Sequence, residues 1–139
     1  KGQQASKDIL FQTLDTKISK IFLKKGINAG LIDTVGFINN IPTLLVESFK
    51  ATLEEIHSAD YLINVVDIND DNSKDKIKTT KKILRDTGVD EKKLSEMMTV
   101  FNKIDVKRIE SSSLKGKNYV SALTGEGINE LKNSLTNLF

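Results

Sequence analysis

The stretch MMTVFNKID, residues 97–105, decides how this chain is read. An apolar, strand-like run through Val100 and Phe101 breaks abruptly to Asn102-Lys103-Ile104-Asp105. In an open parallel sheet, ligands collect off the carboxyl ends of the strands, so polar residues here stand where a site forms. Their types suit guanine. The Asp105 carboxylate can accept two hydrogen bonds, from the ring N–H and the amino group that sit side by side on one edge of that base; adenine offers no such donor pair. Asn102 can donate to a ring nitrogen, and the Lys103 stem can lie along the base plane. Taken alone, an ordinary polar turn after a strand explains the same residues.

Two other stretches make the turn reading insufficient. In VSAL, residues 120–123, the small pair Ser121-Ala122 lets the backbone approach a flat base, so the Ala122 N–H can meet the guanine oxygen, with Leu123 beside it. In LIDTVGF, residues 31–37, an apolar strand ends in Asp33-Thr34, with Gly36 three residues after the carboxylate. That arrangement suits a site sensing a terminal phosphate and its metal. The chain order is acid-x-x-Gly, then Asn-Lys-x-Asp, then Ser-Ala, each at a strand end, and together these point to guanine-nucleotide binding.

The apolar pattern between them alternates short runs with helical periods, the signature of an α/β sheet domain. ISKIFLKKG reads as a strand with apolar Ile18, Ile21 and Leu23, pairing with NAGLIDTVG across a Lys25-Gly26 turn. Pro42 opens a helix whose Leu45, Phe49, Leu53 and Ile56 recur at helical spacing. DYLINVVDIND reads as a buried strand. NSKDKIKTTKKILRDTG reads as a basic amphipathic helix stopped by Gly88, its lysines a solvated face. EKKLSE suggests a short helical turn, KNYVSALTGEG a strand running into a turn, and INELKNSLTNLF a closing helix through Ile128, Leu131, Leu135 and Leu138.

Composition sets outer bounds. The chain has 139 residues, 38% hydrophobic and 29% charged, enough for one domain with a core. A net charge of +2 gives no broad basic field for nucleic acid. No apolar run approaches the roughly 18 residues that span a bilayer, so no membrane role is expected. Cysteine is absent, which excludes disulfides and thiolate metal sites. His57, the one histidine, stands near a helix end, where a favourable dipole contact accounts for it.

Beyond the short motifs, the sequence resembles the HflX family of translation-factor-class P-loop GTPases. LFQTLDT resembles that family's Leu-Phe-Ala-Thr-Leu-Asp signature in the first switch loop. DTVGFINNIP and FKATLEEIHSADYLINVVD resemble the stretches that follow it. The likeness runs from about Leu10 to the end, with departures at Gln12, Thr16 and Asn64; residues 1–9 match nothing recognisable. The resemblance implies a P-loop NTPase-like, mostly parallel sheet with flanking helices, and residues 1–139 as a partial GTP-binding domain. It implies GTP/GDP and Mg2+ as cofactors and the large ribosomal subunit as a partner. The protein would act as a monomer, in the cytoplasm or in an organelle with its own ribosomes. Thr13 would cap magnesium and the terminal phosphate, with Thr16 a weaker candidate. Asp33 would hold magnesium through water, and Gly36 would give its N–H to the terminal phosphate. Asn102, Lys103, Asp105, Ser121, Ala122 and Leu123 would bind guanine. Ras-like enzymes carry a water-orienting glutamine where Phe37 stands, so hydrolysis is expected to be slow unless another group assists.

One part is missing from these residues. The phosphate loop requires Gly-x-x-x-x-Gly-Lys-Ser/Thr. Gly116-Lys117 is the only Gly-Lys pair; Asn118 follows it, and Ser111 stands where the first glycine should be. In the family that loop lies upstream of the first switch, with the first strand and first helix. The expectation is therefore a piece of a longer GTPase whose sheet has a gap at its middle. Alone it would bind nucleotide weakly or not at all and be inactive as an enzyme. The alternative is a nucleotide-binding-defective module acting through protein or ribosome contacts. A phosphoacceptor receiver built on Asp33, Asp67 and Asp105 leaves the Asn-Lys-x-Asp and Ser-Ala pair unexplained.

Overall fold

The computed structural model describes residues 17–34, 46–106 and 118–139. Strands β1 (Lys17–Phe22) and β2 (Asn28–Asp33) form an antiparallel ribbon, and helix α1 spans Val46–Ser58. Then come β3 (Ile63–Asp67), α2 (Ser73–Asp86), the short α3 (Glu91–Ser95), β4 (Met98–Asn102), β5 (Asn118–Tyr119) and α4 (Ile128–Thr136). Strands β3, β4 and β5 make a parallel sheet in that order, separate from the ribbon. The chain has an α/β fold, as expected, and the helical segments α2 and α3 connect parallel strands β3 and β4.

The chain divides into two compact units. One holds both ribbon strands and α1; the other holds the ribbon's tip, Leu23–Ile27, and everything from Asp60 onward. In the ribbon, Ile18 faces Ile32 and Ile21 faces Ala29. Ile18 and Ile21 are three residues apart and a strand has period two, so they lie on opposite faces. Ile18 is exposed, Ile21 half-buried and Leu23 buried, rather than forming one apolar face. The turn falls where expected: Lys25 and Gly26 both take positive φ, 63° and 73°. The tip is fastened to α4, with the Lys24 N–H donating to Thr136 Oγ1 at 3.2 Å. In α1, Leu53 is half-buried and Ile56 buried, while Pro42 and Leu45 lie outside the described residues.

The second unit carries the parallel core. Leu94 on α3 and Val100 at the centre of β4 are 1% and 2% exposed. Helix α2 presents Ile77 and Leu84 inward and leaves Lys74, Lys76, Lys78 and Lys82 exposed, the solvated face expected of it. It ends as its sequence requires. Gly88 takes φ 91°, its N–H donates to the Arg85 carbonyl, and the Val89 N–H reaches back to the Leu84 carbonyl. This pairing satisfies the last carbonyls and brings buried Leu84 and Val89 to either side of the turn. β3 is less buried than its apolar sequence suggests: Val66 is buried, but Val65 on the opposite face is 62% exposed. Alternation sends Val65 to the uncovered side of a strand paired along only one described edge.

Candidate guanine-nucleotide site

The predicted base-binding residues converge where β4 and β5 end. The two strands run in parallel register, Val100 opposite Asn118 and Phe101 opposite Tyr119, so their carboxyl ends finish side by side. Asn102 Oδ1 accepts two backbone N–H groups, from Lys103 at 2.8 Å and from Ala122 at 3.0 Å. Two converging donors fix that atom as the oxygen, so the amide nitrogen is the group left to donate. Ser121 is fully buried, and its hydroxyl donates to Asp105 Oδ1 at 2.7 Å while accepting the Thr124 N–H at 3.1 Å. Its own N–H donates to the Glu126 carbonyl, and its carbonyl accepts from Gly125. Every polar group of Ser121 is thus used, and the Asp105 carboxylate is held by one oxygen with the other left open.

The loop after β5 depends on glycine. Gly127 takes φ 77°, and a Cβ there would lie 2.0 Å from the Tyr119 carbonyl oxygen. Only a residue without a side chain lets the start of α4 pass this close to β5, which folds Ser121 and Ala122 back onto Asn102 and Asp105. Leu123 stands at the outer rim, 85% exposed. The Ala122 N–H, read from sequence as a contact for the guanine oxygen, donates in this structure to Asn102.

Lys103 adds a feature that sequence reasoning missed. It takes φ 69°, in the left-handed region, uncommon for a residue with a side chain. Its carbonyl accepts from Asn69 Nδ2 at 3.2 Å, and its ammonium lies 2.9 Å from Asp67 Oδ2. Asn69 also donates to Asp67 Oδ1 through its N–H at 2.9 Å and its side chain at 3.1 Å. The Asn69 backbone N–H first, then Lys103, hold the Asp67 carboxyl below the usual carboxylate range. The available signal was the run of acids after VVD, which sequence alone ties to no particular partner.

The phosphate-side residues are only partly described. Asp33 closes β2 opposite Lys17 and is exposed; Thr34 follows it, half-buried. Thr13, Gly36 and Phe37 lie outside the described residues, as does Gly116-Lys117. Asp33 belongs to the ribbon's unit and the predicted base-binding residues to the other. Among the described residues, no three His, Cys, Asp or Glu side chains gather as a metal cluster. None of the described helices is long and apolar enough to cross a membrane.

A family model described as 50S ribosome-binding GTPase matches residues 1–103. The chain belongs to this family. Within it, GTPase HflX of Caldanaerobacter subterraneus subsp. tengcongensis is 41% identical over 124 residues, covering 89% of this chain and 28% of the relative. GTPase HflX of Magnetococcus marinus is 39% identical over 137 residues, 94% of this chain and 31% of the relative. A chloroplastic GTP-binding protein of Arabidopsis thaliana is 40% identical over 121 residues, 87% of this chain and 19% of that protein. The HflX resemblance read from the motifs is therefore shown. This 50S ribosome-binding GTPase family member spans under a third of the length of these relatives. The match to the family begins at Lys1, so the opening residues that sequence reading left unplaced fall within it.

Proposed function

We propose that residues 1–139 form the part of an HflX-type GTP-binding domain running from the first switch to the last helix. In this reading they supply the guanine half of the site. The observation that carries it is the interlock of Ser121 with Asp105 and of Ala122 with Asn102, at 2.7 and 3.0 Å. It leaves a carboxylate oxygen for the guanine edge that carries the ring N–H and amino group, and an amide donor for a ring nitrogen. With the carboxylate already oriented, less side-chain freedom is lost on binding. Lys103 lies along the base and Leu123 borders it.

The phosphates fit these residues less well. No Gly-x-x-x-x-Gly-Lys-Ser/Thr occurs in the sequence, so the backbone cradle and phosphate lysine are not supplied here and no hydrolytic step is assigned to these residues. For magnesium, exposed Asp33 offers one carboxylate, with Thr13 the hydroxyl implied by resemblance. That fits an ion that keeps several waters and is otherwise held by nucleotide phosphates. When bound, magnesium neutralises phosphate charge. Gly36 would give its N–H to the terminal phosphate, and the chain as it stands binds GTP or GDP weakly or not at all. The whole protein is read as a monomeric GTP-hydrolysing switch on the large ribosomal subunit, in the cytoplasm or an organelle with its own ribosomes.

The test is titration with a fluorescent GTP analogue and magnesium. It compares this chain with the same chain preceded by the phosphate-loop segment of the Caldanaerobacter relative, with Asp105→Asn as control. Binding by the completed form alone supports the reading. Equally tight binding by both refutes the role given to the phosphate loop. Binding by neither favours a contact module that does not use nucleotide.

A further inference from the structure

We infer that Asp67 and Asn69 are positioning residues that set the pose of Lys103 against the base, so that the loop after β3 contributes to nucleotide affinity without touching the nucleotide. This rests on the guanine-site reading above. The parallel pairing of β3 with β4 sets Asp67 opposite Asn102, so the loop leaving β3 meets the lysine that follows β4. Lys103 is then held at both ends. Its N–H donates to Asn102 Oδ1 and its carbonyl accepts from Asn69, while its ammonium pairs with Asp67 at 2.9 Å. Asn69 braces Asp67 with two hydrogen bonds to Oδ1, which leaves Oδ2 turned to the lysine.

A free lysine loses much rotamer freedom when its stem is laid on a flat surface. One fixed by its backbone and by its tip has lost most of that freedom already, so the contact with the base costs less. Stability alone gives little reason for the arrangement. The lysine and aspartate side chains are 57% and 36% exposed, and ion pairs in such surroundings contribute little to folding. The left-handed backbone of Lys103 is itself a cost to folding.

Isotope-labelled protein would be titrated with GDP and, separately, IDP, which lacks the amino group that Asp105 reads. The Ala122 and Lys103 amides would be followed by NMR. Both the chain and its phosphate-loop-completed form are measured, with unfolding midpoints to confirm that each variant is folded. Asp67→Ala is expected to weaken both nucleotides about threefold, the scale of an exposed ion pair, and to leave their ratio unchanged. A collapsed site would lose the ratio as well. Asp67→Asn keeps an acceptor for Asn69 and should fall between. Lys103→Ala should weaken binding at least as much, and adding Asp67→Ala to it should cause no further loss. Wild-type affinity in Asp67→Ala overturns the positioning role, and so does a double variant in which the losses simply add. Tighter binding in Asp67→Ala overturns it too, because the pair would then be holding the lysine off the base. Asp105→Asn separates the two readings. If it leaves the preference for GDP over IDP intact, or if the completed wild-type form binds neither nucleotide, the guanine reading falls and this inference falls with it.

Discussion

The carboxyl ends of β4 and β5 and the carboxyl end of β2 carry the two halves of the predicted site, and they are built differently. At β4 and β5 the predicted residues hold one another: Asn102 accepts from Ala122, Ser121 donates to Asp105, and Ser121 is fully buried. At β2, Asp33 ends a two-stranded ribbon whose Ile18, Phe22 and Leu31 are exposed. Isolated two-stranded ribbons are marginal in water, whereas a parallel sheet with a packed helix face supports itself. The β4–β5 cluster is thus held within one sheet, while the end of β2 sits on a two-stranded ribbon.

The largest expected effect breaks the base-binding half chemically without unfolding it. In the phosphate-loop-completed form, Asp105→Asn replaces two acceptors with one donor and one acceptor. Two hydrogen bonds to a charged group are at stake, so GDP affinity should fall by about 100-fold or more. Xanthosine diphosphate, whose base carries an oxygen in place of the amino group, should gain. Competition against a labelled nucleotide reads both changes, and a preference unmoved toward xanthine would remove Asp105 from the site. Next comes Gly127→Ala, which forces a Cβ to within 2.0 Å of a backbone carbonyl at φ 77°. A cost above about 2 kcal/mol is expected from strain and clash together, visible as a lowered urea midpoint for the β3–β5 unit. If β5 and α4 move apart at no cost, the interlock is looser than its distances indicate.

Ser121→Ala is smaller and more diagnostic. It removes the hydroxyl that holds Asp105 and leaves the Thr124 N–H without its acceptor. A loss of about 1–2 kcal/mol in stability is expected, with weakened discrimination between GDP and IDP. Stability lost with discrimination intact would mean that Ser121 supports the turn and not the carboxylate.

The cluster at the ends of β4 and β5 was legible in the sequence because its residues are local: Asn102, Asp105 and Ser121 each follow an apolar run. The contacts of Asp67 and Asn69 with Lys103 were not legible, because they depend on the parallel register that sets Asp67 opposite Asn102. Long-range pairing of that kind leaves no mark in local pattern. Helix α2 was legible down to its stop, since Gly88 with apolar Leu84 and Val89 encodes the whole C-terminal turn. The ribbon was legible in position and turn but not in its faces. Ile18 and Ile21 read as one apolar set only if the period of two is overlooked. Val65 read as core because burial of a second face depends on which element covers it, and the strand's own residues do not say.

The smallest effect is the response of the β3–β5 unit to acid. The described carboxyls held below their ordinary values are Asp67, Asp70 and Glu91, lowered chiefly by Asn69, Lys76 and Arg85 respectively. All three belong to the β3–β5 unit. A carboxyl whose folded value is depressed contributes stability above its unfolded value and loses it as pH falls through the folded one. Their contribution should therefore be constant from about pH 6 to 8 and decline once pH drops below the ordinary values of 4.5 for Glu91 and 3.8 for the aspartates. Glu91 makes a two-pronged pair with Arg85, at 2.8 and 2.6 Å, on an open surface. Glu91→Gln should lower the urea midpoint only slightly at neutral pH, less so in high salt, and remove its share of the acid decline. Amide exchange followed from neutral to acid pH should show β3–β5 loosening with this profile. A β3–β5 unit whose protection does not fall with acid would mean that these three pairs contribute nothing to its stability.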